Sequence, residues 1–299
     1  MKLIMFTDPA GLTHPGVIQG DEAVVIEEVT NLRQLFEMGE KGMEAARQAN
    51  GARYPLEEVK LRAPIVPKKL IHTSGNFREH EEESKNVNWS HEIAPWIIFY
   101  QNVDAIIGPG DPIVYPEHLT KELDYELELA VVMAKSGSNF DEEEASEYIG
   151  GFLIFNDITA RDIQRREMRS GVFSFCKSIE TFCPLGPWIV TPDEVGDPHS
   201  LQMRLRVNGE LRQESHSGKM AVTLPQLIAH HSPLHYSAGD VLTTGTVSGV
   251  AGFRSDAEKW YLKPGDVVEC DIERVGKMTN PVISWQEAHG TPAPPFRKW

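Results

Sequence analysis

Three acidic residues have the type and spacing to act together: Glu126 and Glu128 in LDYELELAVV, and Asp157 in FLIFNDITARDIQ. Side chains two apart on a strand share a face, so Glu126 and Glu128 point the same way, with Asp124 just before them. Tyr125, Leu127 and Leu129 point the other way, and Ala130 to Met133 read as a buried continuation of the strand. Asp157 ends a second apolar run, from Gly151 to Phe155, that reads as a neighbouring strand. Carboxylates this close in an apolar sheet repel one another and lose hydration. A hard divalent cation removes both problems, because magnesium, manganese and calcium prefer oxygen ligands. Most Glu-x-Glu pairs are edge-strand charges facing water. Here all three acids lie in or beside the most apolar stretches of the chain, and that favours the metal.

Other residues carry chemistry by type. His80 and Glu83 in NFREHEEES are spaced so that one helical turn brings them together, although a lone His in so acidic a segment is more often simply solvated. Arg161 and Gln164 share a helix face, and the planar fork of an arginine suits a carboxylate. On that helix Thr159 and Asp162 have capping-box spacing, with Asp in place of Glu or Gln. Lys177 lies among aromatic and apolar neighbours in FSFCKSIETFCPLGP, where a lysine can snorkel to the surface. Gly245 to Gly249 (GTVSG) frame a loop whose backbone N–H groups and Thr246 hydroxyl could hold a substrate carboxylate. His230, His231 and His235 suit zinc, but no Cys or well-spaced carboxylate completes a set; they read as a helix end and a turn.

YELELAVV followed by FNDITARDIQ resembles the fumarylacetoacetate hydrolase family. SGNFREHEEE, KSIETFCPLGPWIV, LTTGTVSGV and LKPGDVVECDI continue the likeness in order along the chain. The resemblance implies a mixed β-sandwich roll, a homodimer, and magnesium or manganese held by Glu126, Glu128 and Asp157. It implies a His80–Glu83 dyad acting on water, with Glu83 orienting the imidazole and His80 taking the proton. It places Lys177 where an enolate or oxyanion needs positive charge, and Arg161, Gln164 and Thr246 toward the substrate. Phe77 stands where the motif more usually has Tyr. Thr73 stands where the family's vertebrate namesake has a fourth metal carboxylate, so the chain is more similar to the smaller bacterial, acylpyruvate-cleaving branch. The reaction expected is hydrolysis of a C–C bond in a 1,3-diketo acid of the acylpyruvate, fumarylpyruvate or fumarylacetoacetate type. The alternative is oxaloacetate decarboxylation, or isomerase or dehydratase chemistry on a 2-oxo acid in the same site.

These side chains need elements to hold them. Residues 1–62 read as a small α+β subdomain, with strands in MKLIMFT and EAVVIEEV and a helix in LRQLFEMGEKGMEAARQAN. Pro64 and Pro67 mark the passage into a catalytic domain over 63–299. There the pattern predicts strands over 96–99, 112–115, 125–134, 151–156, 187–191, 202–207, 241–244 and 267–273, and helices over 141–149, 159–168 and 223–230. The class is α+β and strand-dominated, without regular βαβ alternation. Residues 76–94, dense in charge, read as a lid that opens at low cost.

Composition bounds the partners. A net charge of −15 on 299 residues excludes a nucleic acid or an anionic membrane, both of which need a basic surface. The partner expected is a small anionic 2-oxo or diketo acid, and its site must then be locally positive. MKLIMFTD is too short for a signal peptide and no run approaches a membrane span. Cys176, Cys183 and Cys270 follow no zinc spacing and read as reduced thiols in the cytoplasm.

Overall fold

The structure, a computed structural model, describes residues 1–85 and 94–296. Its centre is the strand Leu127–Met133, buried along its whole length. Leu129, Val131 and Met133 pack with Met203, Leu205 and Val268 in one apolar cluster. Ala130 and Val132 pack with Leu32, Leu35 and Phe36 in another. A strand covered on both faces reads as a continuous apolar run rather than an alternation.

Leu127–Met133 pairs antiparallel with Ile149–Asn156 on one side and Val241–Thr243 on the other. Val241–Thr243 continues, parallel, to Leu70–Thr73, which pairs antiparallel with Ile98–Tyr100. In the other direction Ile149–Asn156 pairs with Cys183–Val190, and that strand pairs with Lys2–Thr7. Thr13–Gln19, Glu22–Val25 and Arg53–Pro55 complete a row of the twelve-stranded sheet. The sheet is therefore continuous across residue 62, with Lys60–Arg62 itself returning to pair with Lys2–Thr7. A second, five-stranded sheet runs Glu210–His216, Gln202–Val207, Val267–Ile272, Gly276–Ser284, Ile113–Tyr115 and packs its apolar face against the first. Parallel and antiparallel pairs are mixed in both sheets. The fold is a strand-dominated α+β arrangement of packed mixed sheets. Among the described residues no helix is long and apolar enough to cross a membrane.

Two expectations for local structure are corrected. The helix expected over 159–168 spans Arg161–Glu167, and Thr159–Ala160 instead pairs with Leu123–Asp124. Its capping box does not form. Ala160 occupies the N-cap, the Thr159 hydroxyl donates to the Asp157 carbonyl, and the Asp162 carboxylate accepts from Thr120 and the Lys121 N–H. The helix expected over 141–149 is Glu142–Ala145 followed by a tighter turn, Ser146–Tyr148. Several strands lie outside those the pattern predicts, Leu70–Thr73 among them. Glu210–His216 is polar because it is the outer strand of its sheet, and Gly276–Ser284 carries a proline, Pro281, which argues against a strand by composition.

Candidate active site

Antiparallel register assembles the acids. Leu127 lies opposite Asn156 and Glu128 opposite Phe155, so Asp157, one residue beyond Asn156, comes level with Glu126. The Asp157 N–H donates to the Glu126 carbonyl at 2.8 Å, and the Glu126 N–H donates to the Asn156 side chain at 3.0 Å. Carboxylate oxygens of Glu126, Glu128 and Asp157 all lie within 4.8 Å of one another, and all three residues are buried. The expected cluster is present.

Lys177 comes to the same point. Its Nζ donates to Glu126 Oε2 at 2.9 Å, Asp157 Oδ2 at 2.6 Å and the Thr159 hydroxyl at 2.8 Å. It does not snorkel outward; it is buried. The loop before it is tied by Glu167, whose carboxylate accepts the Phe175 and Cys176 N–H groups. Arg161 closes the other side, with Nε on Asp124 at 2.7 Å, Nη2 on Glu126 at 2.5 Å and Nη1 on the Gln164 side-chain oxygen at 2.8 Å. Asp124 is held further by the Ala251 and Gly252 N–H groups. The guanidinium fork is thus engaged by side chains of the chain itself, two acids and the Gln164 amide.

The charge state follows from these contacts. Burial alone would raise the Glu126 carboxyl, but Lys177 and Arg161 hold it down to about 2. Burial, with Asp157 and Glu126 beside it, pushes Glu128 well above the ordinary carboxylate range. Burial raises Asp157 to about 6 against the pull of Lys177. Burial would lower Lys177, and the two acids it touches raise it instead, so it stays charged. Four buried carboxyls face two buried cations, so with all four ionised, as a bound cation would require, the floor carries an excess of two negative charges. The buried Arg161 and Lys177 supply part of the positive charge that the net charge of the chain calls for, and a cation on the acids would supply the rest. Three hard oxygen donors and that excess fit a divalent, oxygen-seeking cation.

Above the floor stand His80 and Glu83, on the helix Arg78–Ser84. His80 Nδ1 meets Glu83 Oε2 at 3.3 Å, and the imidazole stacks on Phe253 with centroids 5.1 Å apart. The Gly249 N–H donates to both Glu83 oxygens, at 3.1 and 3.0 Å. At the other end of the same loop the Gly245 N–H donates to Glu128 Oε2 at 3.0 Å. Both glycines have positive φ, 79° and 105°, and a Cβ on Gly249 would lie 2.3 Å from the Arg212 carbonyl oxygen. The GTVSG loop therefore places its end N–H groups on two acids of the protein. Thr246 does not face the cavity; its hydroxyl donates to the Leu127 carbonyl and accepts from Gln213, which locks loop to strand.

His80, Glu126, Glu128, Asp157, Arg161, Gln164 and Lys177 line one cavity of about 80 Å³, with Phe99, Phe173, Met168 and Phe253 as its apolar wall. The helix base below His80 is pinned: the Asn76 side chain exchanges hydrogen bonds with the Val222 backbone and Phe77 is buried. The rest of the expected lid, residues 86–93, lies outside the described residues. Gln101 was not anticipated; its amide donates to Asp157 Oδ1 at 2.6 Å from a position remote in sequence. His230 packs on Trp96 and His231 on His230, and neither joins an acid cluster among the described residues.

A sequence model described as fumarylacetoacetate (FAA) hydrolase, C-terminal, matches residues 69–283. The chain belongs to the fumarylacetoacetate hydrolase family. Within this family of enzymes it is 39% identical, over 84% of its own length and 78% of the relative's, to a mitochondrial oxaloacetate tautomerase of Xenopus laevis. Among solved structures it superposes on the fumarylacetoacetate hydrolase of Exiguobacterium antarcticum with a TM-score of 0.81 at 31% identity, covering 95% of this chain and 99% of that one. Maleylpyruvate hydrolase from Sphingobium sp. SYK-6, solved with manganese(II) and pyruvate, superposes with a TM-score of 0.75 at 28% identity over 95% and 99% of the two chains. The family match begins near Lys69 and so leaves the opening sixty-odd residues outside it, while containing every residue of the cavity floor.

Proposed function

We propose that this chain is a divalent-cation-dependent enzyme that interconverts the enol and keto forms of oxaloacetate or a closely similar small 2-oxo acid. The observation that carries the reading is one imidazole, backed by Glu83, facing a floor of three carboxylates and Lys177 within a single small cavity. The relative named an oxaloacetate tautomerase supports it, as does the Sphingobium neighbour with manganese and pyruvate. Magnesium or manganese, held by Glu126, Glu128 and Asp157, is the cofactor proposed; when bound it supplies Lewis-acid polarisation of the 2-oxo group.

The chain's own residues then move one proton. With Nδ1 held by Glu83, His80 presents Nε2 to the substrate and takes a proton from C3 of the keto form. The C–H electron pair becomes the C2–C3 double bond, and negative charge moves to the C2 oxygen. Lys177 keeps a fixed positive charge at the floor as that charge develops. The His80 imidazolium then gives that proton to the oxygen, forming the enol and regenerating the neutral ring, and the reverse sequence returns the proton to C3. Arg161, its fork engaged by Asp124 and Glu126, contributes charge and holds Glu126 in place; Gln164, beside it on the cavity wall, is the proposed substrate contact. Thr246 is proposed to hold the loop that supports Glu83 and Glu128.

Hydrolysis of an acylpyruvate is the second reading, favoured by the same dyad, which would equally take a proton from water. Offering oxaloacetate, acetylpyruvate and fumarylpyruvate side by side with magnesium or manganese separates the readings. The expected result is fast loss of the oxaloacetate enol without carbon dioxide. Pyruvate and acetate from acetylpyruvate as the dominant activity would select the hydrolase; carbon dioxide and pyruvate from oxaloacetate would select the decarboxylase. The reading extends to a homodimer, and to a reducing compartment for the three buried thiols, proposed as the cytoplasm although the Xenopus relative is named as mitochondrial.

A further inference from the structure

A row of side chains crosses the large sheet one step from Glu128. Phe99 lies opposite His72, His72 beside Thr243, and Thr243 opposite Ala130, two residues after Glu128. Partners in register share a face, so His72 and Thr243 lie on the face that carries the three acids. The His72 ring is fully buried and sits against two phenylalanines, with centroids 5.0 Å from Phe99 and 4.9 Å from Phe155. Its Nδ1 is 2.8 Å from the Thr243 hydroxyl, and Thr243, opposite Ala130, stands on the same face as Glu128 as a polar neighbour that lowers its carboxyl. Its Nε2, equally buried, has no partner among the described residues. A histidine used only for packing would leave two ring nitrogens to be desolvated where phenylalanine would leave none. Here one nitrogen is bonded, and what it is bonded to reaches a candidate ligand.

The direction of the chain follows from donor and acceptor inventory. With a cation bound Glu128 is ionised and only accepts, so in that state the one Thr243 hydroxyl hydrogen goes to Glu128. The hydroxyl oxygen must then accept from His72, which places the imidazole hydrogen on Nδ1. We infer that His72, acting through Thr243, is a positioning residue that aims the Glu128 carboxylate for cation binding. Gly245 N–H and the Thr243 hydroxyl between them fix the carboxylate from the protein side and leave its remaining lone pairs to the cavity. Without His72 the Thr243 hydroxyl is free to rotate off Glu128. Partners of this kind orient metal ligands from behind, and losing one typically costs 10–100-fold in metal affinity.

The inference rests on the reading that the acid cluster takes a divalent cation, so the test begins with the wild type. Manganese and magnesium affinities are measured by titration calorimetry for wild type, His72→Phe, Thr243→Val, Thr243→Ser and the His72→Phe/Thr243→Val double variant. His72→Phe keeps a ring between Phe99 and Phe155, and removes only the donor. Both single variants are expected to bind on the order of 10–100-fold more weakly. The double variant should be no weaker than the worse single one, because both break the same chain. Thr243→Ser should bind as wild type does. In magnesium-loaded protein, nitrogen NMR should show His72 protonated at Nδ1. A His72→Phe protein with wild-type affinity, multiplying losses in the double variant, or an Nε2–H tautomer would each overturn the inference. If His72→Phe does not fold, the Thr243 pair carries the same test. Wild type that bound neither ion would overturn the cation reading itself, a separate failure.

Discussion

Glu128 and Asp157 carry raised carboxyl values, Asp157 up to about 6 from an ordinary 3.8, so the folded, cation-free chain holds protons that the unfolded chain releases. The sign follows directly. The favourable contribution is complete below the ordinary Asp value and is lost as pH rises through about 6 for Asp157, and at higher pH for Glu128. Chelator-treated protein should therefore melt at progressively lower temperature from pH 4 to pH 7, by on the order of a few degrees. Magnesium or manganese should restore the loss and release protons into weakly buffered solution. A flat melting profile without the ion would contradict the charge assignment. Asp157→Asn should abolish ion binding in calorimetry, and should make the ion-free protein more stable than wild type at pH 7, since it relieves repulsion with Glu126 and Glu128. Lys177→Met should lose activity more than stability. The three acids were marked by their local pattern, whereas Lys177 and the His80–Glu83 pair were marked only by the family resemblance, their local patterns fitting a surface lysine and a solvated histidine equally well. Gln101, His72 and Thr243 were marked by neither. Each acts on its acid across strands far apart in sequence, and no local spacing marks that.

The GTVSG loop is the element on which both halves of the site depend, with Gly245 on Glu128 and Gly249 on Glu83. Gly249→Ala forces a side chain into φ 105° and against the Arg212 carbonyl. It should destabilise the protein by on the order of 1–3 kcal/mol. Turnover should fall further than this, because Glu83 loses its donor, while ion affinity stays near that of wild type. Equal losses in turnover and ion affinity would show the loop to be a general support only. Most strands near the site were readable because burial on both faces leaves an uninterrupted apolar run, as in Leu127–Met133. The helix after Asp157 was misplaced by two residues because Thr159, although spaced for a cap, is drawn into pairing with Leu123–Asp124 and into contact with Lys177. The turn residues correctly marked the GTVSG loop, but not that its N–H groups serve protein carboxylates rather than a ligand.

At the scale of the molecule, the opening segment and the family-matched body share one sheet, joined where Leu3 pairs with Ile189. We propose that residues 1–62 form a packing subdomain that cannot be removed without cost. A chain starting at residue 63 should aggregate, because the edge that Lys2–Thr7 covers on Cys183–Val190 would be left open. A soluble, active truncated protein would instead make 1–62 an independent unit. The sequence made the class of fold legible through its strand patterns and its family likeness, but the continuity of the sheet across residue 62 depends on pairing between residues nearly two hundred positions apart. The central claim is that one imidazole over a cation-binding floor moves the proton between carbon and oxygen. The most direct measurement is the rate of ketonisation of enol-oxaloacetate, followed by ultraviolet absorbance, for wild type and His80→Ala, each saturated with magnesium or manganese. The account predicts clear acceleration by wild type and a roughly 10²- to 10⁴-fold loss in His80→Ala with ion affinity unchanged. Equal rates for the two proteins, or no acceleration by wild type, would contradict it.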